Sequence, residues 1–175
     1  MVVNNGKEFI EALNEVKKYD YRILREEYLE NFREMNIAVV TDGINYDFSN
    51  IEEVYKNKDI LSYEDKYLSK SDLKSNRDIP AKIDKKLENE IKEIAMKTCE
   101  VLNIRGVIRI DFLIKEQIYV NEINSIPGSL SYYLWDTKYL ELLEKVIKIA
   151  LMESYKEEKL IKNFETDILK IREKK

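Results

Sequence analysis

Apolar residues fall at helical spacing in three stretches and at strand spacing in several others. In "KEFIEALNEVKK", residues 7 to 18, Phe9, Ile10, Leu13 and Val16 repeat at helical intervals, and Asn4-Asn5-Gly6 offers a start signal. "YRILREEYL" (21 to 29) reads as a strand with a polar end. "MNIAVVTDG" (35 to 43) reads as a second strand closed by an Asp42-Gly43 turn. From Ile44 to Pro80 short apolar and charged pieces alternate, which predicts a long loop with short elements. The clearest helix spans 84 to 102. Leu87, Ile91, Ile94, Ala95, Thr98, Val101 and Leu102 form its stripe, Asp84 is its N-cap, and Cys99 is expected as a small buried apolar residue beside it. "GVIRIDFLI" (106 to 114) and "IYVNEIN" (118 to 124) read as a hairpin around Glu116-Gln117. A helix from 138 to 152, bearing Leu142, Leu143, Val146, Ile149 and Ala150, and a weaker one over roughly 156 to 172 complete the chain.

The hairpin carries the chemistry. Glu122 and Asn124 lie two residues apart on a strand and point the same way. A loop of two residues (Glu116-Gln117) or four (Lys115 to Ile118) pairs Ile114 with Tyr119, Asp111 with Glu122 and Arg109 with Asn124. Arg109, Asp111, Glu122 and Asn124 then share one face. Ile110, Phe112, Ile114, Tyr119 and Ile123 share the other, where the helix from 84 to 102 can cover them. A three-residue loop would pair Asp111 with Asn121 and turn Glu122 into the apolar layer, so the pattern argues against it. Two carboxylates and an amide oxygen suit a hard cation such as Mg2+, and an arginine can hold phosphate oxygens. The same four residues also suit the wet face of an antiparallel sheet, and geometry alone leaves both readings open.

Composition narrows the chemistry further. The 175 residues are 44% hydrophobic and 37% charged, with a net charge of −4 and the two signs interspersed. That is a globular composition without a basic block for nucleic acid or an apolar run long enough to span a membrane. With no histidine and one cysteine, His-based triads, His zinc sites and thiolate zinc sites are excluded. A lone cysteine and no signal-peptide pattern fit a cytoplasmic protein.

"RGVIRIDFLIKEQIYVNEINSIPG" resembles the C-terminal core of ATP-grasp enzymes, and most closely the D-alanine–D-alanine ligases. The resemblance rests on Arg-x-Asp (Arg109, Asp111) and on the Asn-Glu-Ile-Asn-x-x-Pro-Gly run from Asn121 to Gly128. It extends upstream through "ILSYEDKYLS" (60 to 69), similar to a mobile active-site loop, and "RILREEYL" followed by "FREMNIAVV", similar to the strand and hinge that hold adenine and ribose. The fold implied is α+β: an antiparallel sheet flanked by helices, the ATP-grasp C-terminal lobe. Residues 1–30 would be a remnant of the central lobe, 31–154 the catalytic lobe and 155–175 a helical extension.

The resemblance also implies roles. Glu26, Glu27, Tyr28 and Leu29 would line the adenine site, and Glu34 would bond the ribose. Lys66 would reach the phosphates while Tyr67 helps close the loop. Asp111, Glu122 and Asn124 would bind Mg2+, with Mn2+ as the alternative ion. Arg109 and the backbone near Gly128 would stabilise an acyl phosphate and the tetrahedral species that follows. The implied activity is ATP-dependent joining of a carboxylate to an amine, as in peptidoglycan biosynthesis. The alternative is a non-catalytic remnant that binds nucleotide or another protein.

Two departures from the family pattern qualify this. No glycine-rich phosphate loop precedes the first helix, so the chain is expected to be part of an enzyme whose N-terminal portion is missing, or to dimerise across that surface. Past Gly128 the chain reads "SLSYYLW". Ser129 and Ser131 remain, but Tyr132 and Tyr133 are bulky. The acceptor stays open between D-alanine, another amino acid and a small peptide. Tyr132, Tyr133 and Trp135 are expected to serve packing.

Overall fold

The computed structural model describes residues 1–55 and 76–160. The chain divides into two compact units, Met1–Phe32 and Arg33–Lys175.

The first unit is one helix and an extended tail. Helix α1 spans Gly6–Val16. Asn5 caps it, its Oδ1 accepting from the backbone N–H of Lys7 and Glu8 at 3.1 and 3.0 Å. Glu8 returns the favour by accepting from the Asn4 backbone N–H at 2.8 Å, and that bond holds its carboxyl below the usual range. Ala12 is the buried residue of the helix, while Ile10 is exposed. The strand expected over 21 to 29 does not form. Those residues are extended but join no ladder among the described residues. Alternation is a half-buried pattern, and only Ile23 and Leu29 of this stretch are even partly buried. Arg25 instead lays its guanidinium 5.1 Å from the Phe9 ring centroid.

The second unit is a five-stranded antiparallel sheet in the order β3-β2-β1-β4-β5. Its strands are β1 (Arg33–Thr41), β2 (Tyr46–Val54), β3 (Arg77–Asp78), β4 (Gly106–Ile114) and β5 (Ile118–Asn124). Among the described residues it also has helices α2 (Lys85–Val101) and α3 (Tyr139–Glu158). Strand β2 corrects the expectation of loop after Ile44. The Asp42 turn folds it straight back on β1: Asp42 Oδ1 accepts from the backbone N–H of Asn45 and Ile44, and its carboxyl drops to about 2, through Asn45 first.

One sheet face is apolar. Met35, Ile37, Val39, Ile51, Ile108, Ile110, Phe112 and Ile114 meet Ile91, Ala95 and Cys99 of α2. Asp84 caps α2, accepting from the Leu87 N–H at 2.8 Å. The apolar stripe is shorter than expected: Val101 and Leu102 are exposed, and Cys99 takes the inward position. Burial pushes the Cys99 thiol up to about 11. The other face is apolar only at one end, where Val40 and Val107 meet Leu142 and Ile149 of α3. Helix α3 runs unbroken to Glu158, so the separate helix expected from 156 is at its start a continuation. Residues 161–175 lie outside the described residues.

Candidate functional site

The rest of that second face is polar, and strand register builds it. β1 is central. Its Asn36 lies opposite Glu52 of β2 and Asp111 of β4, and Asp111 lies opposite Glu122 of β5. One row therefore crosses four strands as Glu52, Asn36, Asp111 and Glu122. In the next row Ala38 lies opposite Arg109, and Arg109 opposite Asn124. Ala38 is where β2 bulges, and Ser49 Oγ accepts its backbone N–H at 2.9 Å in place of a ladder carbonyl.

The hairpin reaches the expected pairing by an unexpected route. Ile114 pairs with Ile118, not Tyr119, which leaves the three-residue loop Lys115–Gln117 that the pattern argued against. The register then shifts between Asp111 and Phe112, leaving Asn121 as the extra residue on β5. Beyond the shift, Asp111 faces Glu122 and Arg109 faces Asn124 as expected. The shift also places Ile118 rather than Tyr119 against the α2 core.

Arg109 and Asp111 form a two-pronged ion pair. Arg109 Nε donates to Asp111 Oδ1 at 2.7 Å, and Nη2 to Oδ2 at 2.8 Å. Those bonds, more than any other cause, raise the arginine above its ordinary value. The Asn124 amide is satisfied with its oxygen toward Arg109 Nη2 at 3.0 Å and its nitrogen toward Glu122 Oε1 at 3.3 Å. Asp111 is 6% exposed, whereas Glu122 is open to solvent.

A second cluster joins the first, and the sequence reading missed it. Glu52 is 2% exposed and accepts three hydrogen bonds. They come from Arg77 Nη1 at 2.9 Å, Asn36 Nδ2 at 3.1 Å and the Tyr133 hydroxyl at 3.0 Å. The Arg77 guanidinium lies 5.5 Å from the Tyr133 ring centroid. Tyr133 is thus part of the polar face and not packing alone. Burial first, then the Glu52 charge, push its hydroxyl up to about 12. Tyr132 and Trp135 do pack, against the cluster under α3. The signal for Glu52 was present but masked, because "SNIEEV" has two adjacent carboxylates and a bulge that breaks the alternation.

Tyr133 comes from a 3-10 segment, Gly128–Leu134, that packs on β1, β2 and β4. Ser129, Leu130 and Ser131 hold left-handed φ of 49°, 57° and 50°. For residues with a Cβ this costs about 1–2 kcal/mol each. Burial of Ser131 and Leu134 and the Leu130 N–H bond to the Pro127 carbonyl (2.9 Å) hold the turn in place. At Gly128 a Cβ would meet nothing within 4 Å.

The remaining expected site residues are placed as follows. Glu34 lies on β1 two residues before Asn36, so strand alternation puts both on one face. Glu26, Glu27 and Tyr28 are exposed and Leu29 is partly buried, all in the first unit. Lys66 and Tyr67 lie outside the described residues.

The donor set suits a hard cation in part. Among the described residues no three acidic, Cys or His side chains gather to hold a metal. Mg2+, however, ordinarily takes one or two carboxylates and completes its shell with water and phosphate oxygens. Asp111 and Glu122 are such a pair. In their row the buried Asn36 Oδ1 accepts no hydrogen bond among the described residues.

This antiparallel sheet, with a helix on each face and carboxylates, amide and arginine on paired strands, matches the ATP-grasp C-terminal fold of solved D-alanine–D-alanine ligases. Its nearest form is set by comparison. Residues 1–151 match the family described as D-ala D-ala ligase C-terminus, and the chain belongs to that family. Among relatives, the D-alanine–D-alanine ligase of Thermosipho melanesiensis is 42% identical over 173 residues, covering 97% of this chain and 47% of the relative. The D-alanine–D-alanine ligase of Helicobacter pylori is 34% identical, covering 88% of this chain and 45% of the relative. The chain thus spans about half the length of the relatives it matches. The crystal structure of the Helicobacter pylori ligase covers 85% of this chain and 40% of its own, with 29% identity and a TM-score of 0.59. For the fold alone, the Coxiella burnetii ligase structure superposes with a TM-score of 0.70 at 23% identity, over 91% of this chain and 43% of that one.

Proposed function

We propose that this chain is the Mg-ATP-binding portion of an ATP-dependent carboxylate–amine ligase of the D-alanine–D-alanine type. The observation that carries the reading is the pairing of Asp111 with Glu122 and of Arg109 with Asn124 on one sheet face. Family membership supports it, as does a fold shared with a Bacillus anthracis D-alanine–D-alanine ligase described as complexed with ATP, at 19% identity and a TM-score of 0.68 over 90% of this chain and 52% of that one.

In this reading Asp111, Glu122 and Asn124 hold Mg2+. The ion, when bound, supplies charge neutralisation and polarisation of phosphate oxygens. Arg109 holds phosphate oxygens of the nucleotide and supplies fixed positive charge where negative charge develops during phosphoryl transfer to a carboxylate. Its planar fork stays aimed because Asp111 grips one edge. An amine then attacks the acyl phosphate and phosphate leaves. Neither step needs a histidine. The family resemblance would further assign Glu34 to the ribose, Glu26 to Leu29 to the adenine, Lys66 and Tyr67 to the phosphates, and the Gly128 backbone to the reacting group. D-alanine is the acceptor and donor that family membership favours.

Calorimetric titration of the full chain with Mg·ADP tests the reading. Binding is expected, and a ligand at a hundred times its Kd should stabilise the fold by about 2.7 kcal/mol. Asp111→Asn should remove the Mg2+-dependent part of that gain. Equal binding with and without Mg2+, or an unchanged Asp111→Asn, would overturn the assignment.

A further inference from the structure

The carboxylate–arginine pair does not end the polar face. Arg109 is gripped on one edge by Asp111. On the β2 side stands Tyr133, carried by a segment that packs on β1, β2 and β4, with its hydroxyl bonded to Glu52 in the row next to that of Arg109 on the same sheet face. The Tyr133 hydroxyl is committed to Glu52, and Glu52 is itself fixed by Asn36 and Arg77. Arg77 also covers the Tyr133 ring. A buried carboxylate with three donors is expensive to assemble unless every bond is made, and once made it is stiff. The backbone that delivers Tyr133 is a left-handed turn at three consecutive non-glycine residues. Strain of that kind persists where the surroundings over-determine a position.

We propose that Tyr133, anchored by the buried carboxylate of Glu52, is a positioning residue for Arg109. Asp111 sets the plane of the guanidinium, and Tyr133 closes the side from which it could swing toward β2. The arginine then presents one edge to an incoming anion. Glu52 acts one step further back, by holding the Tyr133 hydroxyl. The inference rests on the proposed role of Arg109 in binding the phosphate end of a nucleotide, and it assigns a task to residues outside that reading.

A double-mutant cycle on the full chain, read by calorimetric titration with Mg·ADP, separates positioning from a general structural effect. Tyr133→Phe removes one oxygen and keeps the ring under Arg77. It is expected to weaken binding about tenfold, as for loss of a bond that orders a charged group. In an Arg109→Gln background the same change should alter binding less than about twofold, because there is no guanidinium left to position. Tyr132→Phe, whose ring meets Tyr139 edge-on at 5.2 Å, should bind as the parent does. Equal weakening by Tyr133→Phe in both backgrounds would make its role structural and overturn the proposal. An unchanged affinity in the parent background would do the same while leaving the nucleotide reading intact. Failure of the parent chain to bind Mg·ADP would remove the nucleotide reading and this inference with it.

Discussion

Replacing Glu52 with Gln tests whether the polar face is a constructed network or a wet surface. The side chain is 2% exposed, and its oxygens divide the work. Oε1 takes Arg77 at 2.9 Å, while Oε2 takes Asn36 at 3.1 Å and Tyr133 at 3.0 Å. A glutamine must place its NH2 at one of those positions. Facing Asn36 and Tyr133 it would meet two donors, so it turns toward Arg77 and loses one charge-assisted bond. Such a bond contributes about 1.5–3 kcal/mol. Arg77's side chain is 35% exposed and can turn to water, which reduces the loss to about 1–2 kcal/mol. Glu52→Leu loses all three accepted hydrogen bonds and strands the Asn36 amide, so it should cost about 3–4 kcal/mol. Urea unfolding followed by fluorescence reads both, because Trp135 is the single tryptophan and packs beside the α3 cluster of the second unit. Glu52→Gln at parent stability, or Glu52→Leu no worse than Glu52→Gln, would refute the account.

Other expectations concern the scaffold. Asp84→Ala removes the cap acceptor of α2 and should cost about 1 kcal/mol by the same urea assay. Phe112→Ala empties a fully buried position between sheet and α2 and should cost about 3–5 kcal/mol in urea unfolding. Cys99 should resist a thiol reagent in the folded chain and react fully in denaturant. Its folded thiol titrates near 11 against an ordinary value of 9.0, so above pH 9 the unfolded chain loses a proton that the folded chain keeps. Stability should therefore fall as pH rises, by about 1 kcal/mol at pH 10. Cys99→Ala should flatten that part of the pH profile in denaturant titrations.

How much of this was legible in the sequence depends on how locally each feature is encoded. α2 could be read because its cap and inward residues lie within one continuous period. β4 and β5 could be read for the same reason, with the chemistry carried on a hairpin whose two strands are neighbours in the chain. β2 was missed because its alternation is broken at Ser49 and because Glu52 and Glu53 are both buried, each held by an arginine: Arg77 for Glu52, and Arg33 at 2.7 Å for Glu53. A buried carboxylate looks like a surface one until its partner is known, and these partners lie about twenty or more residues away. The bond from Tyr133 to Glu52 was out of reach on similar grounds, since it spans 81 positions.

The hairpin shows what an apolar pattern can and cannot specify. Three-residue loops were set aside because a regular ladder behind one would drive Glu122 into the layer beside Ile110. The chain uses that loop and corrects the register with one extra residue at Asn121. The pattern had constrained which face each residue must occupy at the far end of the hairpin, where Ile110 and Ile123 enter the core and Asp111 and Glu122 must not. It had no hold on how many residues turn the corner, because a bulge at an edge strand removes one residue's ladder bonding where water can replace it. Burial of Ile110, Phe112 and Ile114 against α2 is worth several kcal/mol in transfer terms, more than the lost pairing at one edge position. The hydrophobic demand therefore wins over ladder regularity, and the carboxylates meet on one face whichever loop length the turn adopts.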